Sequence, residues 1–361
     1  MADKPSNGIS RQTRRTFLAA TGATTTAALA GCIGGDDGGV GDATLESVTD
    51  VDTLRMKTSQ RGTTAHTALT ALASVLNEQL DGLSVEAQTS DGTEENIGDI
   101  ANGDIEMGFL QNWTARQFRE GVEPFDQYEM QLSQLFHYYD LPWFFMTSNF
   151  DLETLSDIGS GNTVSPTPNG SGTAPGLEYA LEEPTGGNYE RISVGFTSQG
   201  GAMNEGRLDA GVGTMLNSVI TPGWLQEAIN SVDQFRILNV SDSTASAWED
   251  DSKVNTATLD TSQLEGADKE NVDVPGEMTA PTFSYNFVSR AELDPDAVTN
   301  FLETMWEARE ALAEEFGIFN FHNNADFWVK NPYEGIPFHP SAAEFYQEQG
   351  VWNDEWEIAD V

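Results

Sequence analysis

The feature that most constrains this chain is a unit that recurs from residue 53 onward: a short apolar strand, a polar loop rich in glycine and hydroxyls, then an amphipathic helix. LRMKTS (54–59) runs into QRGTTA and then HTALTALASVLNEQL, whose apolar residues return every three or four positions. LSVEAQTS (83–90) precedes the loop DGTEEN and a helix near 97–102, and IEMGFLQN (105–112) ends in another polar loop. The unit returns further on as NTVSPT (162–167), the loop PNGSGT and a helix from about 174 to 181. RISVGFT, a helix ending in NEG and LDAGVGTM (208–215) come next. Alternation of this kind predicts an α/β fold with a parallel sheet and helices on its faces. Ligands in such sheets gather at the carboxyl ends of the strands.

Between the two runs of units lies QLFHYYDLPWFFMTS (134–148), a long aromatic segment read as extended and crossing to a second domain. Residues 241–276 are polar and of low hydrophobicity, TFSYNFVSR (282–290) reads as a return strand, and helices are predicted near 295–316 and 342–349. A folded part of roughly 300 residues exceeds the usual size of one core and suggests two domains. No repeat of fixed period is visible.

The amino-terminal segment reads as an address. Arg14 and Arg15, followed by Phe17, Leu18, an alanine/threonine run and Leu-Ala-Gly-Cys, form a twin-arginine export signal ending in a lipobox. The apolar run is too short for a spanning helix of about 20 residues. Residues 1–31 are expected to be removed, leaving Cys32 lipidated on the outer face of the cytoplasmic membrane, followed by a glycine- and aspartate-rich disordered tether to residue 50. Cys32 is the single cysteine, so no internal disulfide or cysteine metal site is available.

The chain carries 58 acidic against 17 basic residues. Four of the bases and one acid precede Cys32, so residues 32–361 hold 57 acids and 13 bases, a formal charge of −44. Such a surface repels nucleic acid. With only five lysines, the balance suggests adaptation to multimolar salt, which screens self-repulsion over a few ångströms. In dilute buffer the chain is expected to unfold.

Enzyme motifs fare poorly. PNGSGT lacks the lysine of a nucleotide-binding loop, and Ser171 is flanked directly by Gly170 and Gly172, where a nucleophile elbow needs glycines two residues away on each side. The histidines, His66, His137, His322 and His339, show no metal-ligand spacing. Strand–loop–helix units do offer free N–H groups and hydroxyls at helix starts, suited to a carboxylate, or simply ordinary helix caps. Four such loops facing one cleft favour a ligand site. No catalytic residue, metal or cofactor is expected.

DGTEENIGDIANGDIEMGFLQ (91–111), TVSPTPNGSGT (163–173), EGRLDAGVGTM (205–215) and IPFHPSAAEFYQEQGVW (336–352), in this order, resemble the TAXI family of extracytoplasmic solute receptors, the binding subunits of TRAP-type secondary transporters. The resemblance implies a two-lobed, type II periplasmic-binding-protein-like fold with a ligand cleft between the lobes. Lobe 1 is placed at 51–145 and 280–361, lobe 2 at 146–279. It implies a monomeric, lipid-anchored receptor that delivers a small organic anion, a glutamate-like amino acid or a dicarboxylate, to a TRAP permease. A receptor for an ABC importer and a secreted hydrolase are the alternatives; the latter needs a base near Ser171 that the sequence does not mark.

On matching positions, ligand contacts are expected at Thr58, Gly62, Thr63, Thr93, Asn96, Gln111, Gly170, Ser171, Gly172 and Thr173, with Asn96 and Gln111 orienting the ligand. The chain departs from the family where two tyrosines usually stand, here Ala65 and His66, and where an acid follows the glutamine, here Trp113. His66 is read either as a partner for a ligand carboxylate or as a first-turn residue. Arg61 is read either as the cation that selects an anion or as a solvated loop arginine. His339 and Pro340 are read as starting a helix that packs Phe345 and Tyr346 on the first lobe.

Overall fold

Alternating burial in the first strand fixes the start of the sheet. In β1 (Thr53–Lys57) Leu54 and Met56 are wholly buried while their neighbours are partly exposed. Helix α1 (Thr64–Leu76) buries Ala68, Leu69, Leu72 and Leu76 on one stripe, and the Thr63 side chain caps it by accepting from the His66 amide at 3.2 Å. β2 (Ser84–Gln88), α2 (Thr93–Asn102), β3 (Met107–Gln111) and α3 (Asn112–Arg119) repeat the pattern. β1 lies parallel between β2 and β3. All five residues of β3 are buried, as befits a strand covered on both faces. These elements belong to a computed structural model that describes residues 51–361 except Gly170. The export signal (1–31), Cys32 and the tether (32–50) therefore lie outside the described residues.

The aromatic segment is β4 (Leu132–Thr147), sixteen residues of which only Leu141 is not buried. Then come β5 (Thr163–Val164), α4 (Ala174–Thr185), β6 (Glu190–Arg191), β7 (Gly211–Thr214), β8 (Phe235–Ile237), β9 (Thr256–Asp260), β10 (Val272–Asp273) and β11 (Glu277–Arg290). β4 and β11 run antiparallel and each changes partners along its length. Residues 132–142 of β4 pair with β11, whereas Trp143–Met146 pair with β7 and Met146–Thr147 with β8. β11 pairs with β9 through Glu277–Pro281 and with β3 through Tyr285–Ser289. Pro142, which has no N–H to donate, sits where β4 hands over from β11 to β7. Two long strands thus join the parallel β1–β3 group to the β7–β10 group in one nine-stranded, mixed α/β sheet.

Apolar packing follows the same division in part. One cluster of side chains around Phe144, Met146, Leu225, Phe235 and Leu259 covers the β7–β8 side. The largest cluster runs from Leu54 through Phe136 and Phe287 to Leu177 and Trp248, so the two groups of strands share core. Each fully buried Leu or Phe removed from water contributes about 1.5–3 kcal/mol.

Elsewhere the structure differs from the sequence expectation. The polar stretch 241–276 holds the helix Asp242–Asp250 and strands β9 and β10. That helix buries only Thr244 and Trp248, too few anchors to leave a period, and Trp248 Nε1 donates to the Ala180 carbonyl at 2.8 Å. RISVGFT (191–197) contributes only Arg191 to the two-residue strand β6 and ends in a 3-10 turn at Phe196–Ser198. The helix expected over 295–316 is two, Pro295–Glu307 and Arg309–Glu315. The last helix, Pro340–Glu348, is started by His339, whose Nδ1 accepts from the Ser341 amide and whose Nε2 donates to the Leu293 carbonyl. Tyr346 then donates from its hydroxyl to the Leu135 carbonyl at 2.5 Å. No helix among the described residues is long and apolar enough to cross a membrane.

Candidate functional site

A cavity of about 480 Å³ opens where the polar loops meet the crossing strands. Its wall is formed by residues 59–65 after β1, 91–93 after β2, 168, 169 and 171–173 before α4 and 195–197, with Tyr139, Leu141 and Trp143 of β4 and Tyr285 of β11 behind them. This is the carboxyl end of β1 and β2, as parallel-sheet geometry requires.

Of the residues predicted from sequence, Arg61, Gly62, Thr63, Thr93, Ser171, Gly172 and Thr173 line this cavity together. Gly62 has φ +87°, a conformation that glycine adopts without cost, and a Cβ there would meet no atom within 4 Å. The Gly172 backbone passes so close to α2 that a Cβ would lie 2.6 Å from Thr93 Oγ1. Ser171 Oγ and Thr173 Oγ1 bond each other at 2.9 Å. Gly170 lies outside the described residues.

Four predicted contacts are not on the wall. The Thr58 side chain is buried behind it, with its hydroxyl unpartnered, while the Thr58 carbonyl accepts from Ser90 Oγ at 2.8 Å and Asn96 Nδ2 at 2.9 Å. Asn96 also donates to the Phe109 carbonyl at 3.0 Å, so its amide ties the segment just after β1 to the middle of β3. Gln111 caps α3 by accepting from the amides of Trp113 and Thr114, and its Nε2 donates to the Gly172 carbonyl at 2.8 Å. Asn96 and Gln111, expected to orient the ligand, hold the loops that form the wall. The His66 ring is buried under the first turn of α1, off the wall, with Nδ1 unpartnered among the described residues.

The wall's charge is sparse. Arg61 is its one cation and Asp91 its one carboxylate, both exposed, and Arg61 makes no ion pair among the described residues. Among the described lining residues there is no histidine, lysine or cysteine. Among the described residues no group of three or more His, Cys, Asp or Glu side chains is placed to hold a metal ion.

Sequence reasoning missed the aromatic half of the wall. Trp143 stacks on Phe196 with ring centroids 5.7 Å apart, and Phe196 packs on Trp224 at 5.0 Å. Phe109 stacks on Tyr285 at 4.7 Å, and Tyr139 lies 5.0 Å from Tyr285. Burial pushes both tyrosine phenols up, so they remain protonated donors. The PWFF run hinted at Trp143, but nothing in the sequence brings Phe196 and Trp224 to the same place.

The chain is similar in structure to the periplasmic binding protein BugD, at 12% identity over 83% of this chain and 94% of that one, with a TM-score of 0.49. It is also similar to the GlnP substrate binding domain 2 of Lactococcus lactis in its open conformation, at 13% identity over 74% and 94%, TM-score 0.39. A third is a putative methionine-binding lipoprotein of Bacillus subtilis, at 11% over 74% and 96%, TM-score 0.39. Scores below 0.5 say nothing about ligand or partner. No curated protein matches the sequence at a significant level. The sequence profile of the NMT1-like family, in contrast, matches residues 56–350, most of the chain, and the protein belongs to that family.

Proposed function

We propose that this chain is an extracytoplasmic solute receptor that captures a small organic anion and delivers it to a membrane permease of the TRAP type. The observation that carries this reading is the cavity itself: about 480 Å³, walled by four hydroxyl- and glycine-bearing segments with one arginine, and set against the two strands that cross between strand groups. Ligand pockets commonly span about 300–1,000 Å³, with a few polar groups in a largely apolar lining. The lobes are assigned to 51–145 with 280–361 and to 146–279, with β4 and β11 as the hinge on which they close over the ligand. Export through the twin-arginine signal and lipidation of Cys32 hold the receptor, as a monomer, on the outer face of the cytoplasmic membrane. It performs no chemistry and needs no cofactor.

The test is a thermal-shift screen of the full chain in multimolar salt against amino acids, dicarboxylates, keto acids and short fatty acids. A ligand at about 100 times its Kd adds roughly 2.7 kcal/mol, enough to raise Tm by a few degrees. A shift confined to one anion class supports the receptor. A silent screen, with no anion released into the denatured supernatant by mass spectrometry, contradicts it. For the permease, uptake driven by an ion gradient without ATP supports the TRAP assignment, and a requirement for ATP overturns it.

A further inference from the structure

The cavity lining brings together two kinds of side chain, and the difference bears on what the anion carries besides its carboxylate. Arg61 is the one cation on the wall, and the hydroxyls of Thr63, Thr93, Ser171 and Thr173 lie on the loops around it. Six rings make up much of the rest, alongside Leu141, Leu216 and Pro222 and the hydroxyls of Thr197 and Thr214. Trp143, Phe196 and Trp224 form a column of rings inclined to their neighbours by 29° and 31°, while Phe109, Tyr139 and Tyr285 form a second group. Phe196 and Trp224 are only half buried, so ring surface remains open beside the cavity.

A second carboxylate placed against these rings would lose its water and find no cation. Asp91, the other charged side chain on the described wall, lies on the polar side, where its Oδ1 accepts from Gln60 Nε2, and offers such a group no positive charge. Multimolar salt, which the composition calls for, screens an exposed pair such as Arg61 and a carboxylate within about 3 Å and leaves apolar contact as the larger source of affinity. A flat apolar body against the rings gains both area burial and stacking.

We propose that the cavity takes a monocarboxylate carrying an aromatic or similarly flat apolar body, with its carboxylate at Arg61 and the 168–173 loop and its ring against Phe196 and Trp224. This departs from the glutamate-like or dicarboxylate ligand expected from sequence, and it rests on the reading of the cavity as a receptor site.

The experiment is isothermal titration of the full chain in multimolar salt with three probes: 3-phenylpropanoate, glutarate and glutamate. The first two share a short chain with one carboxylate and differ in whether a ring or a second carboxylate ends it. Phenylpropanoate is expected to bind at least tenfold more tightly than glutarate or glutamate. Trp224→Ala and, as a second variant at a different segment, Phe196→Leu are each expected to weaken phenylpropanoate severalfold. Arg61→Gln is expected to weaken it as well. Tighter binding of glutarate or glutamate overturns the aromatic assignment and leaves the receptor reading standing. Binding of none of the three also overturns the aromatic assignment, and the receptor reading falls with it only if the wider anion screen is silent too. Phenylpropanoate affinity unchanged in both aromatic variants, when both melt as the parent does, overturns the placement of the ring.

Discussion

Lowering the pH from 7 to 5 should destabilise this protein through His322, by an amount the structure allows to be worked out. His322 is completely buried among Phe136, Phe319, Phe327 and Trp328. Its Nε2 donates to the His137 carbonyl at 2.9 Å, and Nδ1 has no partner among the described residues. Burial pushes the imidazole down from 6.5 to about 3. Because the folded value is depressed, the unfolded chain binds the extra proton between these two limits, and stability present above pH 6.5 drains away as pH falls. Linkage gives a loss of about 0.2 kcal/mol at pH 7 and about 2 kcal/mol at pH 5 from this one residue. With an unfolding entropy of about 2.1 cal/mol/K per residue over roughly 300 residues, 2 kcal/mol corresponds to about 3 °C in Tm. Burial lowers His137 and His339 as well, so their contributions carry the same sign. Melting curves of parent and His322→Gln at pH 7 and pH 5, at fixed salt, isolate the effect, since glutamine keeps a donor for the His137 carbonyl. The variant is expected to lose about 3 °C less than the parent on acidification. Equal losses, or an imidazole resonance of His322 titrating near pH 6.5, would refute the reasoning.

Gln111→Ala removes the α3 cap and the bond to the Gly172 carbonyl together, and should cost about 2–3 kcal/mol in denaturant unfolding while also weakening anion binding, because the 168–173 loop loses its anchor. Asp140, on β4, accepts from Ser284 Oγ at 2.5 Å, Asn331 Nδ2 at 3.0 Å and Lys330 Nζ at 2.6 Å. Burial alone would raise this carboxyl, but the nearby positive charges and hydrogen bonds win and hold it below the ordinary 3.8. His137, pushed down by its own burial, is neutral at pH 7, so Lys330 supplies the charge there. The stabilisation is full above about pH 3.8 and is lost as pH falls below it, so an acid titration should show a shallower loss below pH 4 for Asp140→Asn than for the parent.

The parts of the fold that were legible in the sequence are those whose burial is periodic. The alternation in β1 and the single stripe of α1 both print a pattern on the chain, and the long apolar run of β4 marks it as buried on both sides. The helix Asp242–Asp250 and the short strands β9 and β10 print none, because one or two anchors such as Trp248 suffice to dock them. Polar loops at strand ends led to Arg61, Gly62, Thr63, Thr93, Ser171, Gly172 and Thr173, all of which the fold gathers on one wall. The bracing that Asn96 and Gln111 give the loops was not legible, for a physical reason. A buried amide side chain satisfies a ligand or the backbone equally well, and only the fold reveals that the Phe109 and Gly172 carbonyls are their partners. The aromatic side of the cavity was invisible because Trp143, Phe196 and Trp224 come from three separate segments, and aromatic residues are usual core material.

The central claim, that an organic anion sits on the 168–173 loop of this cavity, is tested most directly by isothermal titration of the parent and the double variant Ser171→Ala/Thr173→Ala with the anion that gives the largest thermal shift. The two hydroxyls bond each other, so removing both leaves neither stranded and the fold should survive with Tm nearly unchanged. Loss of hydrogen bonds to a charged ligand, at about 1.5–3 kcal/mol each, predicts a fall in affinity of tenfold or more. An affinity equal to the parent's, with the variant folded, would contradict the site.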